Sequence, residues 1–358
     1  MKYAECQFDL FEDNFEKYHS IKSVLLYDSR KNKEAFFSFV IPTLNRAEFL
    51  IDAIDSIYDA NFPRSYEIIV VDNSGNVCNN EIVSLLNDRR YNNLALYVNE
   101  KNIGMAGNWN RGFELANGKW VAMLHDDDLL SSYYGKEILK CLSTAVHVSN
   151  RKKVGVIKVS FSEFSGLSVP NMNFIEGKGA LTKLTLSGTL VKFFGPCNSP
   201  TCGMLFNKEA VYDVGGFSEK YYPSMDSILG FQIQKKGYTT FRTLDKLGYY
   251  RKSVNATGKK DTIIKWSYID SYFQKFCLNY NLPLKILSLI CGNAAYTMLI
   301  DILMERAKKY CNEPVSYSEI IHFSGYGVRG IRLIIFKVVK KILMTPERKI
   351  YVYSGSGV

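Results

Sequence analysis

Histidine is scarce in this chain, with four in 358 residues, and none of the eight cysteines forms a Cys-x-x-Cys pair. A structural zinc site draws four nitrogen or sulfur ligands from short spacings, so that class is disfavoured and the cysteines read as reduced thiols. No GxxxxGK[ST] loop is present, which removes support for a nucleotidyltransferase-like enzyme that must cradle a nucleoside triphosphate. Long apolar runs are missing too. The longest uncharged one, Ile286 to Ile300 between Lys285 and Asp301, contains Gly292 and Asn293. It falls short of the ~20 residues that a membrane-spanning helix needs and reads as a buried helix. The opening MKYAECQFDLFEDNFEKYHS mixes acids with aromatics and lacks the basic start and apolar core of a secretory signal. The expected compartment is the cytoplasm.

What is present is a globular composition, 47% hydrophobic and 22% charged, with a net charge of +10. The excess is uneven. Between Ser324 and Lys349 stand Arg329, Arg332, Lys337, Lys340, Lys341, Arg348 and Lys349 against Glu347 alone. In the same stretch Val328, Ile331, Ile334, Ile335, Val338, Val339 and Ile342 keep one helical face apolar. Such a helix either lies on an anionic membrane surface or packs on the domain as a basic solvated helix. Nucleic acid is not expected as a partner, because the cations are interleaved with aliphatics rather than stacking aromatics.

The most informative stretch runs from Lys119 to Leu130. Val121, Ala122, Met123 and Leu124 read as a buried strand, and the chain then turns into His125, Asp126, Asp127 and Asp128. Carboxylates at the end of an interior strand repel one another and lose hydration, so a cation should compensate them, most simply a divalent metal. The competing reading is a solvated acidic turn capping the next helix.

Around this stretch strand and helix alternate. Phe36 to Ile41 reads as a strand closed by Pro42, and a helix follows with Asn45 as N-cap and Leu50, Ala53, Ile54 and Ile57 on its apolar face. Tyr66 to Val71 reads as a strand ending in Asp72, Asn80 to Leu86 as a short helix, Leu94 to Val98 as a strand, and Asn102 to Ala116 as a helix. The rhythm predicts an α/β fold with a mostly parallel sheet, whose ligands bind beyond the carboxyl ends of the strands. Pro42 to Arg46, Asp72 to Ser74 and His125 to Asp128 would converge there. Further on, Val154 to Val159 and Thr201 to Phe206 read as strands, Lys208 to Asp213 as a helix, and Asp226 opens an amphipathic helix after Gly215-Gly216-Phe217. From Asp261 the pattern is helical.

The ordered runs FSFVIPTLNR, IIVVDNSGN, NIGMAGNWNRGFELANGKWVAMLHDDD and GGFSEKYYPSMD resemble an inverting family 2 glycosyltransferase of bacterial surface-polysaccharide type, with the GT-A fold. The resemblance covers about Phe36 to Tyr250. It implies an N-terminal extension (1–35), a GT-A catalytic domain (36–255, with a nucleotide-binding half 36–130 and an acceptor half 131–255), and a helical C-terminal region (256–358). It implies a nucleotide-sugar donor, usually on UDP, bordered by Pro42, Thr43 and Arg46, with Asp72 at the base and Asn102, Gly104 and Asn108 along the nucleotide side. Asp126 would hold the ribose, and Asp127, with Asp128 as a further candidate, would bind manganese or magnesium. His125 departs from the family's Asp-x-Asp signature. Asp226 would act as general base toward a glycan or lipid-linked oligosaccharide acceptor. Phe161, Phe164, Phe174, Phe193 and Phe194 are candidates for stacking on acceptor sugars or for core. A non-catalytic sugar-nucleotide or membrane-binding module of the same fold is the alternative.

Overall fold

The computed structural model describes residues 10–31, 34–76, 78, 80–171, 178–184, 200–252, 259–278, 282–311, 313–324, 326–328, 330–343 and 349–353. Phe174, Phe193, Phe194, Arg329 and Arg348 lie outside them. In chain order the elements begin with β1 (Ser23–Asp28), β2 (Phe37–Thr43), α1 (Ala47–Asp59), β3 (Tyr66–Asp72), α2 (Asn80–Arg89), β4 (Leu94–Asn99), α3 (Gly104–Leu115), β5 (Trp120–Met123), β6 (Leu129–Leu130) and α4 (Tyr134–Val148). Then come β7 (Val154–Phe164), β8 (Ala180–Leu184), β9 (Met204–Asn207), α5 (Lys208–Tyr212), α6 (Met225–Lys235) and β10 (Thr239–Arg251). The chain closes with α7 (Lys260–Leu278), α8 (Leu282–Tyr310), α9 (Tyr317–Ile320), α10 (Ile331–Leu343) and β11 (Ile350–Val352).

The sheet runs β1-β4-β3-β2-β5-β9-β7-β10-β8-β11, with β6 pairing β10. Its first half is the parallel sheet that strand–helix alternation predicts: β4, β3, β2 and β5 are parallel neighbours. Both faces are covered, so β2 is buried at every position and reads as a continuous apolar run. Beyond β5 the sheet is mixed, since β9 is antiparallel to β5 and β7 while β7 and β10 are parallel.

Three local expectations are corrected. β2 does not close at Pro42 but continues to Thr43, because β5 ends opposite Val40 and leaves that edge of β2 without a ladder for the missing N–H to interrupt. Asn45 is not the cap of α1. It takes φ +54° and turns the chain, and Arg46 occupies the cap position without a side-chain cap bond. α6 is not amphipathic, being buried nearly all round from Met225 to Gln234.

The sequence pattern also hides the strands β1, β6, β8, β10 and β11. β1, inside a stretch that looked peripheral, adds an antiparallel edge to β4, and β10 carries alternating polar residues that mask a strand paired on both sides. Leu10 and Phe15 enter the same core as α3 and α6. The early segment is also tied in by Arg111, which donates to the carbonyls of Tyr18 (3.0 Å) and Ile21 (2.8 Å).

The Gly215-Gly216-Phe217 turn locks the two halves together. Asn110 on α3 accepts from Phe217 N (2.8 Å) and donates to Phe217 O (2.9 Å). Gly216 has φ +75°, and a Cβ there would lie 2.6 Å from Asn110 Oδ1 and 2.8 Å from the Phe15 ring. Left-handed backbone costs an L-residue roughly 1–2 kcal/mol before any clash. Gly216→Ala is therefore expected to lower stability by about 2 kcal/mol or more; urea denaturation checks it, and an unshifted midpoint would contradict the lock.

Candidate functional site

The carboxyl ends of β2, β3 and β5, with α3, α6, α7 and α8, enclose a cavity of about 510 Å³. Pro42, Thr43, Arg46, Asn102, Asn108, Asp126, Asp127 and Asp226 all line it.

The acidic turn after β5 is buried, with Asp126, Asp127 and Asp128 each 5% exposed or less. Thr43 Oγ1 donates to Asp126 Oδ2 (2.7 Å), and Arg46 Nη1 sits between Asp126 Oδ1 (3.2 Å) and Asp127 Oδ2 (2.8 Å). Burial and the neighbouring Asp127 charge push the Asp126 carboxyl up to about 6, with Arg46 opposing. Asp128 points inward. Its Oδ1 accepts from the Arg251 backbone N–H (3.0 Å), its Oδ2 is buried without an N–H or O–H donor, and burial raises it well above the ordinary carboxylate range.

Arg251, at the end of β10, is fully buried and holds the turn from behind. Its Nε donates to Asp127 O (2.9 Å), its Nη1 to Gly166 O (2.6 Å), and its Nη2 lies 3.5 Å from Asp52 Oδ2. Phe49 and Phe164 cover the guanidinium, with ring centroids 4.9 and 4.6 Å away.

His125 Nε2 is 2.6 Å from Thr201 Oγ1, its ring packs on Trp109, and burial lowers its pKa, which favours the neutral imidazole. Ligand atoms of His125, Asp127 and Asp128 lie within 4.8 Å of one another.

Asn73, Asn102 and Asn108, which also line the cavity, belong to an amide network. Asn99 Nδ2 donates to Asn73 Oδ1 (3.0 Å) and Asn108 Oδ1 (2.9 Å), while Asn73 Nδ2 donates to Asn102 Oδ1 and Gly104 O (3.0 Å each). Asn108 in turn donates to Val71 O (3.0 Å). The N-terminus of α3 is already capped, since Glu219 Oε2 accepts from Ala106 N (2.9 Å).

Asp226 lines the cavity from the first turn of α6, where its Oδ1 accepts from Ser227 N (2.6 Å). Burial pushes its carboxyl up to about 6, against the opposing pull of Lys158. Ser224, the residue before α6, does not cap it. Its hydroxyl donates instead to the buried Asp270 on α7 (2.5 Å).

A family model for Glycosyl transferase family 2 matches residues 38–148. Over these residues the chain is similar to glycosyl transferase family 2. An amylovoran biosynthesis glycosyltransferase, AmsB, of Erwinia amylovora is 31% identical over 98 residues, 27% of this chain and 32% of that protein. A GalNAc(5)-diNAcBac-PP-undecaprenol beta-1,3-glucosyltransferase of Campylobacter jejuni is 33% identical over 146 residues, 40% of this chain and 47% of that protein. The chain thus spans from a third to a half of the length of these relatives. The structure of Staphylococcus aureus TarS 1-349 in complex with UDP-GlcNAc covers 77% of this chain and 73% of that one, with a TM-score of 0.50 and 17% identity, a likeness of fold.

Two residues that the family 2 resemblance assigned to the donor do not reach the cavity wall. Asp72 is fully buried and its carboxylate folds back onto Ser74 N (2.9 Å) and Oγ (2.8 Å), the local turn that an Asp before Asn-Ser readily makes. Its neighbour Asn73 lines the wall instead. Gly104 lies behind the wall, with φ +76° at the start of α3. Of the described aromatics, Phe161 lines the cavity and Phe164 covers Arg251.

The family 2 pattern missed other residues. Thr262, Trp266 and Arg306 reach the cavity from α7 and α8, and Arg306 stacks over the Trp266 ring at 4.3 Å. Neither they nor Arg251 belongs to a local motif. The one available signal for Arg251 is the physical demand for a cation near three acids.

Removing that cation leaves Asp52 and the acidic turn facing an apolar hole. Arg251→Met is expected to destabilise the fold by about 3–5 kcal/mol, measured by chemical denaturation; a change below about 1 kcal/mol would mean that Arg46 alone holds the turn.

Proposed function

We propose that this protein transfers a sugar from a nucleotide-sugar, a UDP-sugar, to a hydroxyl of a lipid-linked glycan, with inversion, during synthesis of a bacterial surface polysaccharide. The observation that carries the reading is that one cavity is lined both by the Thr43–Arg46–Asp126–Asp127 cluster and by Asp226. The relatives support the acceptor class: one is named for amylovoran biosynthesis, the other for an undecaprenol-diphosphate-linked oligosaccharide.

On this reading Pro42, Thr43, Arg46, Asn102 and Asn108 border the donor nucleotide and Asp126 meets its ribose. Asp226 takes the proton of the acceptor hydroxyl as that oxygen attacks the anomeric carbon. The bond from that carbon to the diphosphate breaks on the opposite face. A carboxyl that titrates near 6 is a stronger base than an ordinary aspartate and is still ionised at neutral pH. No separate nucleophile is needed for inversion.

The residues fit a divalent ion. Asp128, Asp127 and a neutral His125 converge, and two carboxylates with an imidazole suit manganese better than magnesium, which prefers oxygen alone. Bound there, the ion would supply charge stabilisation for the departing diphosphate.

Calorimetric titration of UDP, GDP and CDP with and without manganese tests the donor side. Metal-linked binding of UDP that disappears in Asp127→Ala is the expected result, and no metal-linked binding to any of the three would sink the proposal. Asp226→Asn should keep UDP binding and lose on the order of 10²–10⁴-fold in turnover. Because the base must be ionised, kcat/KM should fall about tenfold per unit as pH drops below about 6. Unchanged turnover in Asp226→Asn would instead favour the non-catalytic module.

A further inference from the structure

The helix α10 is apolar on two faces, and among the described residues only one of them is packed. Phe336 is fully buried among Phe273, Ala294 and Ala295, and Leu333 and Val339 pack against the same core. That face seats α10 on α8. The other face carries Ile331 (73% exposed), Ile334 (61%), Ile335 (38%) and Val338 (52%), at i, i+3, i+4 and i+7. Four aliphatics at that spacing form one continuous stripe along about two turns.

Charge surrounds the stripe. Going round the helix at 3.6 residues per turn, Lys337 and Lys341 fall along one border and Arg332 along the other, all three exposed. No Asp or Glu occurs from Ser324 to Pro346. An aliphatic ridge between rows of long cationic side chains matches the depth profile of an anionic bilayer surface. The ridge enters the acyl boundary, while the ammonium and guanidinium groups stay at headgroup level. A second copy of the chain suits it less well, because a two-fold contact would set these cations against their own copies.

We propose that the Ile331–Ile334–Ile335–Val338 ridge is the surface by which this protein sits on an anionic lipid bilayer, with α10 remaining folded on α8 rather than swinging free. This differs from a detachable basic tail, since Phe336 and its neighbours anchor the helix to the core. It also has a consequence for access. α8 supplies Arg306 to the cavity lining and α10 packs on α8, so one helix connects the lipid surface with the cavity. The docking itself does not depend on the sugar-transfer reading, and binding is measured without donor.

The test is co-sedimentation of the full chain with vesicles of phosphatidylglycerol and phosphatidylcholine, and with phosphatidylcholine alone. Wild type should bind the anionic vesicles and leave the neutral ones. Ile334→Ser/Val338→Ser, two exposed positions whose exchange should leave the unfolding midpoint unchanged, should weaken binding about tenfold or more. Replacing Lys337 or Lys341 by Gln should weaken it about fivefold per charge. Asp127→Ala should bind vesicles like wild type, which separates failure of the docking from failure of the transfer reading. Equal vesicle binding by Ile334→Ser/Val338→Ser overturns the proposal. So does a wild-type dimer in vesicle-free solution that this variant converts to monomer, which would assign the ridge to a second copy.

Discussion

Three adjacent carboxylates at the end of a buried strand are the constraint around which the molecule is arranged. Their mutual repulsion and lost hydration need compensation within the fold. Arg46 provides it from the front, by spanning Asp126 and Asp127, and Arg251 from behind, by holding the Asp127 carbonyl and presenting its backbone N–H to Asp128. These two arginines lie on either side of the sequence that separates β2 from β10. Folding the acidic turn therefore requires the first half of the sheet and β10 of the second to be in place together.

The same dependence runs through the other ties between halves. Asn110 on α3 brackets Phe217, Glu219 caps α3 at Ala106, and the early segment feeds Leu10 and Phe15 into the core beneath. A helix N-terminus that might otherwise have faced the cavity as an anion site is occupied by Glu219, so anion recognition on that side falls to side chains. The amide network of Asn73, Asn99, Asn102 and Asn108 supplies rigid, neutral donors and acceptors there. An acidic cluster and an amide network lining one cavity suit a ligand that is polar along its length and charged at one place.

The helices after β10 are part of the site rather than an appendage. α7 and α8 contribute Thr262, Trp266 and Arg306 to the cavity, and α7 ties itself to the start of α6 through Asp270 and Ser224. Asp226 thus sits on a helix whose first turn is held by the C-terminal helices. Asp270 is itself buried and pushed up to about 7, so that contact keeps a carboxyl close to Asp226 with reduced charge at neutral pH.

The parallel half of the fold and most of the cavity were legible in the sequence because they are encoded locally. Buried parallel strands are uninterrupted apolar runs, helices show their period, and Pro42 to Arg46, Asn102 to Asn108 and His125 to Asp128 are contiguous motifs at strand ends. What the sequence could not settle were matters of distance along the chain. The demand for a cation beside Asp126 to Asp128 was readable, but its nature was not, because Arg251 lies 123 positions beyond Asp128 and belongs to no motif. That the Asp72 carboxylate turns onto Ser74 was likewise invisible until the chain was folded. β1 and β10 escaped notice because an edge strand and a strand with alternating polar residues owe their pairing to partners rather than to their own composition. α10 shows the division most plainly. Its apolar and basic content was visible from composition, whereas which aliphatics face the core and which face outward was decided only when Phe336 found its place against α7 and α8.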